Sequence, residues 1–377
     1  MVYDFIVVGA GMAGASIAYE LSGTGKVCLI EMEERPGIHA TGRSAALFAP
    51  SYGGREIRAI TRASRAFFNA PPPGFADGPL LIDRGCLYIA RQDQVGRLHA
   101  MVDTVRATGG TMRPVDRAHA LARIPLLRDA YVADAAVDDD ATDIDVDALH
   151  QGFLRGARAR GTVVLTEARL SGAIHDAGLW TVTLPDRTIQ APILVNCAGA
   201  WADEVARGCG AAARGLRALR RTAVLIDPPV GVDIRDWPAV IDADEAFYFK
   251  PDAGKLLLSP ADETPDLPGD AQPEELDIAI AVDRVQAAID IEVRRVSHSW
   301  AGLRTFAPDR VPVVGYDEER PGFFWCAGQG GYGIQTAPAL SRLAAALVRG
   351  EPIPADVAAE GLDAPALSPL RLPPLPA

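Results

Sequence analysis

Short, unbroken apolar runs that stop at small residues are the most regular feature of this chain. Phe5-Ile6-Val7-Val8 runs into Gly9, Ile193-Leu194-Val195-Asn196-Cys197 into Ala198-Gly199-Ala200, and Phe323-Phe324-Trp325-Cys326-Ala327 into Gly328. Runs of this kind, apolar on both faces, predict fully buried strands. Behind the first of them, residues 12–21 read as a helix of small residues and 26–31 as a second strand, a βαβ unit. Residues 57–68 have helical spacing and end at Pro71-Pro72-Pro73, a firm breaker. Strands are expected over 80–90, 216–226, 246–250 and 255–258. The acidic stretch 134–147 reads as a loop, with Asp145 capping a helix through 149–160. Gly330-Gly331-Tyr332-Gly333 opens a last helix to Val348, with Pro338 expected in its first turn. The proline-rich tail, 369–376, is expected to fray. No internal repeat is visible.

Composition narrows the classes. A chain of 377 residues with 49% hydrophobic and 23% charged positions suits two packed units with ample core. A formal net charge of −12 lacks the broad basic footprint of a nucleic-acid binder, so no such partner is expected. Five cysteines, an odd number without a CxxC pair, point to reduced thiols. The carboxylates of Asp138-Asp139-Asp140 lack the glycine and glutamate of a calcium loop, so no metal is expected. Neither a basic leader nor an apolar run long enough for a bilayer is present, and the expected location is cytoplasmic.

Gly9-Ala10-Gly11-Met12-Ala13-Gly14 matches GxGxxG between a predicted strand and a predicted helix. Gly9 permits the tight turn, Gly11 lets the backbone approach a pyrophosphate, and Gly14 lets helix and strand pack closely. The helix N-terminus then presents free N–H groups and partial positive charge to the phosphates. Glu31, at the end of the second strand, can accept from ribose hydroxyls and disfavours a 2′-phosphate. This constellation points to a dinucleotide. Downstream, Arg43 and Ser44 supply donors for a pyrophosphate or ribityl chain, while Gly42, Ala45 and Ala46 leave room for a flat ring. Taken alone, those residues fit a flavin site or a plain helix start equally well. The glycine-rich start of the last helix, 328–335, suits negative charge of the kind reduced flavin develops near N1 and C2=O.

Taken together, the chain resembles the D-amino acid oxidase superfamily of FAD-dependent oxidoreductases, and within it the bacterial D-arginine dehydrogenase type. The matching pieces are GAGMAGASIAYELS, GIHATGRSAA, ASRAFFNAPPPGF, DIDVDALHQGFLRGAR, VNCAGAWAD, DEAFYFKPDAG, WAGLRTF and GQGGYGIQT, in family order along nearly the whole chain. The resemblance implies an α/β fold: a discontinuous Rossmann-like FAD-binding domain with a second, mainly β substrate-binding domain. The FAD part would comprise 1–79, 146–214 and 319–377, and the substrate part 80–145 and 215–318. FAD would be bound noncovalently. Its binding residues would be Gly9, Gly11, Met12, Ala13, Gly14, Glu31 and Met32, then Thr41, Gly42, Arg43, Ser44 and Ala45. Ala198, Gly199, Trp201 and Arg304 would join them, with Gly330, Gly331, Tyr332, Gly333, Ile334 and Gln335 at the last helix.

The resemblance also implies a substrate clamp. Arg221, Arg304, Tyr52 and Tyr248 would grip an amino acid carboxylate, which suits a guanidinium fork and a neutral phenol donor. The Gly331 carbonyl would hold the α-amino group. Leu47, Cys86 and Ile241 would line the side-chain pocket. Arginine-preferring relatives carry a glutamate where Cys86 stands and a histidine where Leu47 stands, so a neutral or apolar side chain is expected over D-arginine; Asp83 compensates if the strand register differs. The expected reaction is oxidation of a D-amino acid to an imino acid, hydrolysed to an oxo acid and ammonia. A secondary-amine oxidase of sarcosine or glycine type is the alternative within flavoenzymes, and a flavin-binding protein without turnover the alternative outside them. The electron acceptor, oxygen or a quinone-like molecule, is open.

Overall fold

The computed structural model describes residues 1–375. Its centre is β1 (Phe5–Val8), all four residues buried, paired in parallel with β2 (Val27–Ile30) on one side and with Ile193–Asn196 on the other. The six-stranded sheet runs in the order Val313–Tyr316, Phe323–Ala327, Ile193–Asn196, β1, β2, Val163–Leu165, with only the first strand antiparallel to its neighbour. Its strands therefore come from both ends and the middle of the chain. Burial on both faces explains why they read as continuous apolar runs. On one face α1 (Met12–Leu21) follows β1, α2 (Arg55–Asn69) packs on α4 (Gly333–Val348), and α3 (Val146–Ala159) and α4 both pack on α1. On the other face lies a three-stranded antiparallel sheet, Gly172–Asp176, Leu179–Thr183 and Thr188–Ala191, whose Trp180 and Val182 share a core with Ile6, Val8, Leu194 and Trp325.

The second region is a nine-stranded mixed sheet. Its spine is the long antiparallel pair Arg217–Ile226 and Val296–Phe306, extended through Lys255–Ser259, Tyr248–Asp252, Ala239–Asp242 and Cys86–Ala90. A small sheet of Leu47–Phe48, Thr142–Ile144 and Leu81–Asp83 lies beside it. The fold is thus the expected α/β arrangement, a Rossmann-like sheet with a second, β-rich region.

Four local expectations are corrected. Residues 80–90 are two strands, Leu81–Asp83 and Cys86–Ala90, in different sheets. Gly85, at φ +73°, turns the chain between them, and Arg84 is drawn aside to Asp143 at 2.7 Å. The acidic stretch is no loop: Asp134–Asp138 and Thr142–Ile144 are strands, because Ala135, Ala136 and Val137 supply a buried run that the carboxylate count obscures. Pro338 lies past the first turn of α4, which starts at Gly333. In the tail, Pro369–Arg371 forms a 3-10 turn with Pro369 and Leu372 buried and Arg371 bonded to Asp309, so it is packed and not frayed; Pro376 lies outside the described residues.

Asp145 does cap α3, accepting from the Ala148 N–H at 2.8 Å. All five cysteines are free and buried. Among the described residues, no helix is long and apolar enough to cross a membrane.

Candidate active site

A cleft runs over the C-terminal ends of β1 and β2, where an open parallel sheet receives its ligand. One end, a cavity of about 370 Å³, is lined by Gly9, Gly11, Glu31, Met32, Thr41, Ala198, Gly199 and Trp201. The next, about 160 Å³, is lined by Met12, Ala13, Arg43, Ser44, Ala45, Arg304, Gly330, Gly331, Gly333 and Ile334. Gly11, Thr41 and Trp201 line both, so the two cavities form one elongated site.

The glycines fit an approaching dinucleotide for geometric reasons. Gly9 has φ +93°, and a Cβ there would sit 2.7 Å from the Cys197 carbonyl oxygen. A Cβ on Gly14 would lie 1.7 Å from the Gly9 carbonyl oxygen, which α1 could not tolerate. Gly11 caps α1 without a side-chain bond, leaving the helix N-terminus open toward the cleft. The Met12 N–H donates to Thr41 Oγ1 at 2.9 Å. Glu31 accepts from the Ala10 N–H at 2.8 Å and the Glu33 N–H at 3.1 Å, one on each oxygen, so each oxygen keeps lone-pair capacity for a ribose. Beneath this loop the buried His150 bonds the Ala10 carbonyl at 2.9 Å, and burial lowers its pKa, so the neutral ring donates through Nε2.

Some expected cofactor residues act from behind the wall. Gly14 packs α1 on β1. Gly42 faces the Gly37 carbonyl oxygen, 2.7 Å from where a Cβ would stand. Tyr332 faces an outer vestibule instead of the cleft. Arg43 lines the cleft, but its guanidinium is engaged with Asp270 and the carbonyls of Ile38, Ala271 and Ala301, tying the cleft to the second region. Gln335 accepts from the Ala49 N–H and donates to Thr61 Oγ1, both at 3.0 Å, so it fixes the segment leading to Tyr52.

Beyond the cleft lies a smaller cavity of about 80 Å³. Tyr52, Arg221, Tyr248, Arg304, Gly331, Leu47 and Ile241 all line it, so the expected clamp and most of the side-chain wall converge. Arg304 lies in the Val296–Phe306 strand, and Arg221 in the strand paired with it. The Arg304 guanidinium lies against Gly331, where a Cβ would come within 2.9 Å of Nη1. Burial works against its charge, but the phenols of Tyr52, Tyr248 and Tyr332 more than offset that and hold its pKa above the ordinary value. Arg221 is more committed: Nε donates to the Asp262 carbonyl at 2.8 Å, and Nη2 stands 3.4 Å from Glu263. Glu263 is also gripped by both Nη atoms of Arg310.

Cys86 does not line the cavity. It is 1% exposed and packs behind Leu47 and Ile241 with Ala49, Tyr88 and Ala239. Its register follows the break at Gly85, which hydrophobic alternation across 80–90 conceals. Two charged cavity residues were missed by sequence reasoning, Lys250 and Glu245. Lys250 is two residues from Tyr248 on the same strand, so period-2 alternation carried the signal; its amine pairs with Asp143. Glu245 sits in the turn before that strand with φ +54°, which no sequence pattern reports. Chemically, the cavity offers an arginine with neutral phenol donors at one end and an apolar wall at the other, opening on a cleft shaped for a dinucleotide.

Comparisons with known proteins agree with this geometry. The chain is 26% identical over 373 residues to mitochondrial sarcosine dehydrogenase of Mus musculus, covering 93% of this chain and 40% of that protein. The chain thus spans well under half the length of that relative. It is 24% identical over 369 residues to glycine oxidase of Bacillus licheniformis, covering 93% of this chain and 94% of that one. The structure of glycine oxidase from Geobacillus kaustophilus superposes with a TM-score of 0.82 at 21% identity, over 93% of this chain and 95% of that one. The sequence pattern of the family described as "FAD dependent oxidoreductase" matches residues 4–347, and with nearly the whole chain inside that match, the protein belongs to this family of FAD-dependent oxidoreductases.

Proposed function

We propose that this protein oxidises the CH–N bond of a D-amino acid with a small neutral side chain, giving an imino acid that water converts to an oxo acid and ammonia. The observation that carries the reading is Arg304: a half-buried guanidinium among tyrosines, facing the cavity, with Gly331 kept bare beside it. A cation that lines a cavity with no carboxylate paired to it among the described residues can receive an anion, and a carboxylate matches the planar fork. Tyr52 and Tyr248 add neutral donors, and Arg221 a second cation that shares Glu263 with Arg310. The Gly331 carbonyl accepts from the substrate amine. Held at both groups, the substrate presents its α-hydrogen to the cleft, and the protein's contribution is orientation and exclusion of water. Bound FAD supplies the chemistry by accepting the hydride. The chain needs no general base if the amine arrives neutral.

The cavity wall favours neutral side chains. Lys250 is a cation on it, and the one acidic residue among the cavity's lining residues, Glu245, also belongs to the outer vestibule. A guanidinium directed at the Leu47 and Ile241 wall would be buried without a partner there, which is costly. The D-configuration rests on the motif resemblance. The glycine and sarcosine type is the second reading, favoured by size: a dry cavity of about 150 Å³ holds benzene, whereas this one measures about 80 Å³. Steady-state rates with D-alanine, D-methionine, D-arginine, glycine and sarcosine separate these. D-alanine should exceed D-arginine in kcat/KM by at least about tenfold. A preference for D-arginine would overturn the side-chain assignment, and sarcosine ahead of every D-amino acid would establish the second reading.

A further inference from the structure

Arg58 stands out among the charged residues outside the clamp. It is 7% exposed, it lies in the first turns of α2, and Nη1 donates to the Gly53 carbonyl at 2.7 Å. Its Nε has no hydrogen-bond partner, and no ion pair joins it to a carboxylate among the described residues. Burial and the neighbouring Arg62 lower its pKa, with Glu56 opposing. Arg58 borders the outer vestibule, where its guanidinium meets solvent in part, but Nε is buried without a partner, and a methionine of similar length would fill the space without that cost.

What Arg58 holds gives it a role. Gly53 has φ +93°, and a Cβ there would collide with Ile57 at 2.7 Å and crowd the Tyr332 ring at 3.1 Å. The residue before it is Tyr52, which lines both the substrate cavity and the vestibule of about 960 Å³ outside it. The Tyr52 ring meets Tyr332 edge-on at 5.0 Å. The turn has few other anchors: the Tyr52 N–H donates to the Ala49 carbonyl at 3.0 Å, and the Gly54 carbonyl accepts the Arg58 N–H at 3.0 Å. The Arg58 bond to the Gly53 carbonyl ties the residue after Tyr52 to α2, so its loss would loosen the turn that holds the Tyr52 phenol beside the cavity.

We infer that Arg58 is a positioning residue for substrate capture: by fixing the Gly53 carbonyl it orients the Tyr52 hydroxyl toward the carboxylate bound at Arg304. The inference rests on the carboxylate-binding reading of the cavity and extends it to a residue that does not touch the ligand. Because Arg58 acts on binding geometry and not on the reacting atoms, its removal weakens carboxylate affinity and leaves the limiting rate of flavin reduction nearly intact.

The test uses the FAD-loaded full-length protein and propionate as a carboxylate probe, titrated through its perturbation of the flavin absorbance. Arg58→Met should raise the propionate dissociation constant about tenfold, the size of one lost hydrogen bond to a charged or positioned group. Arg58→Lys should recover most of that loss. In a Tyr52→Phe background, Arg58→Met should change the constant less than about twofold, because the group it positions is gone. With D-alanine the limiting reduction rate should stay within about twofold of the parent protein. An unchanged propionate constant in Arg58→Met at normal FAD content, effects of Arg58→Met and Tyr52→Phe that simply multiply, or absence of propionate binding to the parent protein would each overturn the inference. Should Arg58→Met fail to fold, Arg58→Gln, which also removes the cation, decides in both backgrounds by the same non-additivity. The functional reading fails separately: no amino acid or N-methyl amino acid would reduce the flavin, while the Arg58 dependence of propionate binding persisted.

Discussion

Arg304 and Tyr248 concentrate the substrate-binding argument in two side chains with different expected weights. Arg304→Met removes a charge-assisted fork from the cavity and should lower kcat/KM about a hundredfold or more, mostly through KM. Tyr248→Phe removes one neutral donor and should cost about tenfold. Initial rates across substrate concentration check both, and equal losses would contradict the division of labour between cation and phenol. At the cofactor end, Gly14→Ala puts a methyl group into the Gly9 carbonyl, so the protein should purify with little bound flavin and a lowered melting temperature. Residues of this sort were legible in the sequence because their roles are set by local backbone geometry. Cys86 was not: its side depends on the turn at Gly85, and one residue of register moves a side chain from the cavity to the layer behind it. Arg43 was legible as a cleft residue, but its fork is held by the carbonyls of Ala271 and Ala301, partners more than 200 positions away in the chain.

At the scale of elements, the helix starting at Val146 carries a separable contribution from its cap. Asp145→Ala deletes the bond to the Ala148 N–H and should reduce stability by about 1 kcal/mol, seen as a shifted denaturant midpoint at unchanged slope. No change would mean that packing against α1 alone fixes that end. The βαβ unit at the start was readable because strand, turn and helix signals are contiguous. The strand Asp134–Asp138 was not, since its buried run is built from Ala135, Ala136 and Val137 while the surrounding composition is dominated by aspartate. Strand patterns with alanine on the inward side give little hydropathy contrast, and tertiary pairing with Cys86–Ala90 supplies what the local pattern lacks.

At the scale of the whole molecule, FAD links the two regions because the cleft is walled by both, with Gly302 and Arg304 opposite Met12 and Ala45. Ligand bound only to the folded state stabilises by about 2.7 kcal/mol at a hundredfold excess over its dissociation constant, so stripped protein should melt well below the loaded form. Stability should also fall in mild acid through His150. Its folded pKa is depressed, so above about pH 6.5 both folded and unfolded states hold it neutral and its contribution is full. Below that the unfolded chain takes up the proton first, and stability declines as pH falls toward the folded pKa. His150→Gln should flatten that segment of the stability curve, and an unchanged slope between pH 6.5 and 5 would contradict the assignment.

The account as a whole turns on whether the clamp and the cleft act together on an amino acid. The direct measurement is anaerobic mixing of the FAD-loaded protein with paired D- and L-amino acids, glycine and sarcosine, followed by flavin absorbance. Bleaching by small neutral D-isomers, lost in Arg304→Met, is the expected result. Persistent oxidised absorbance with every amino acid and N-methyl amino acid, while the protein holds FAD, would contradict the central claim.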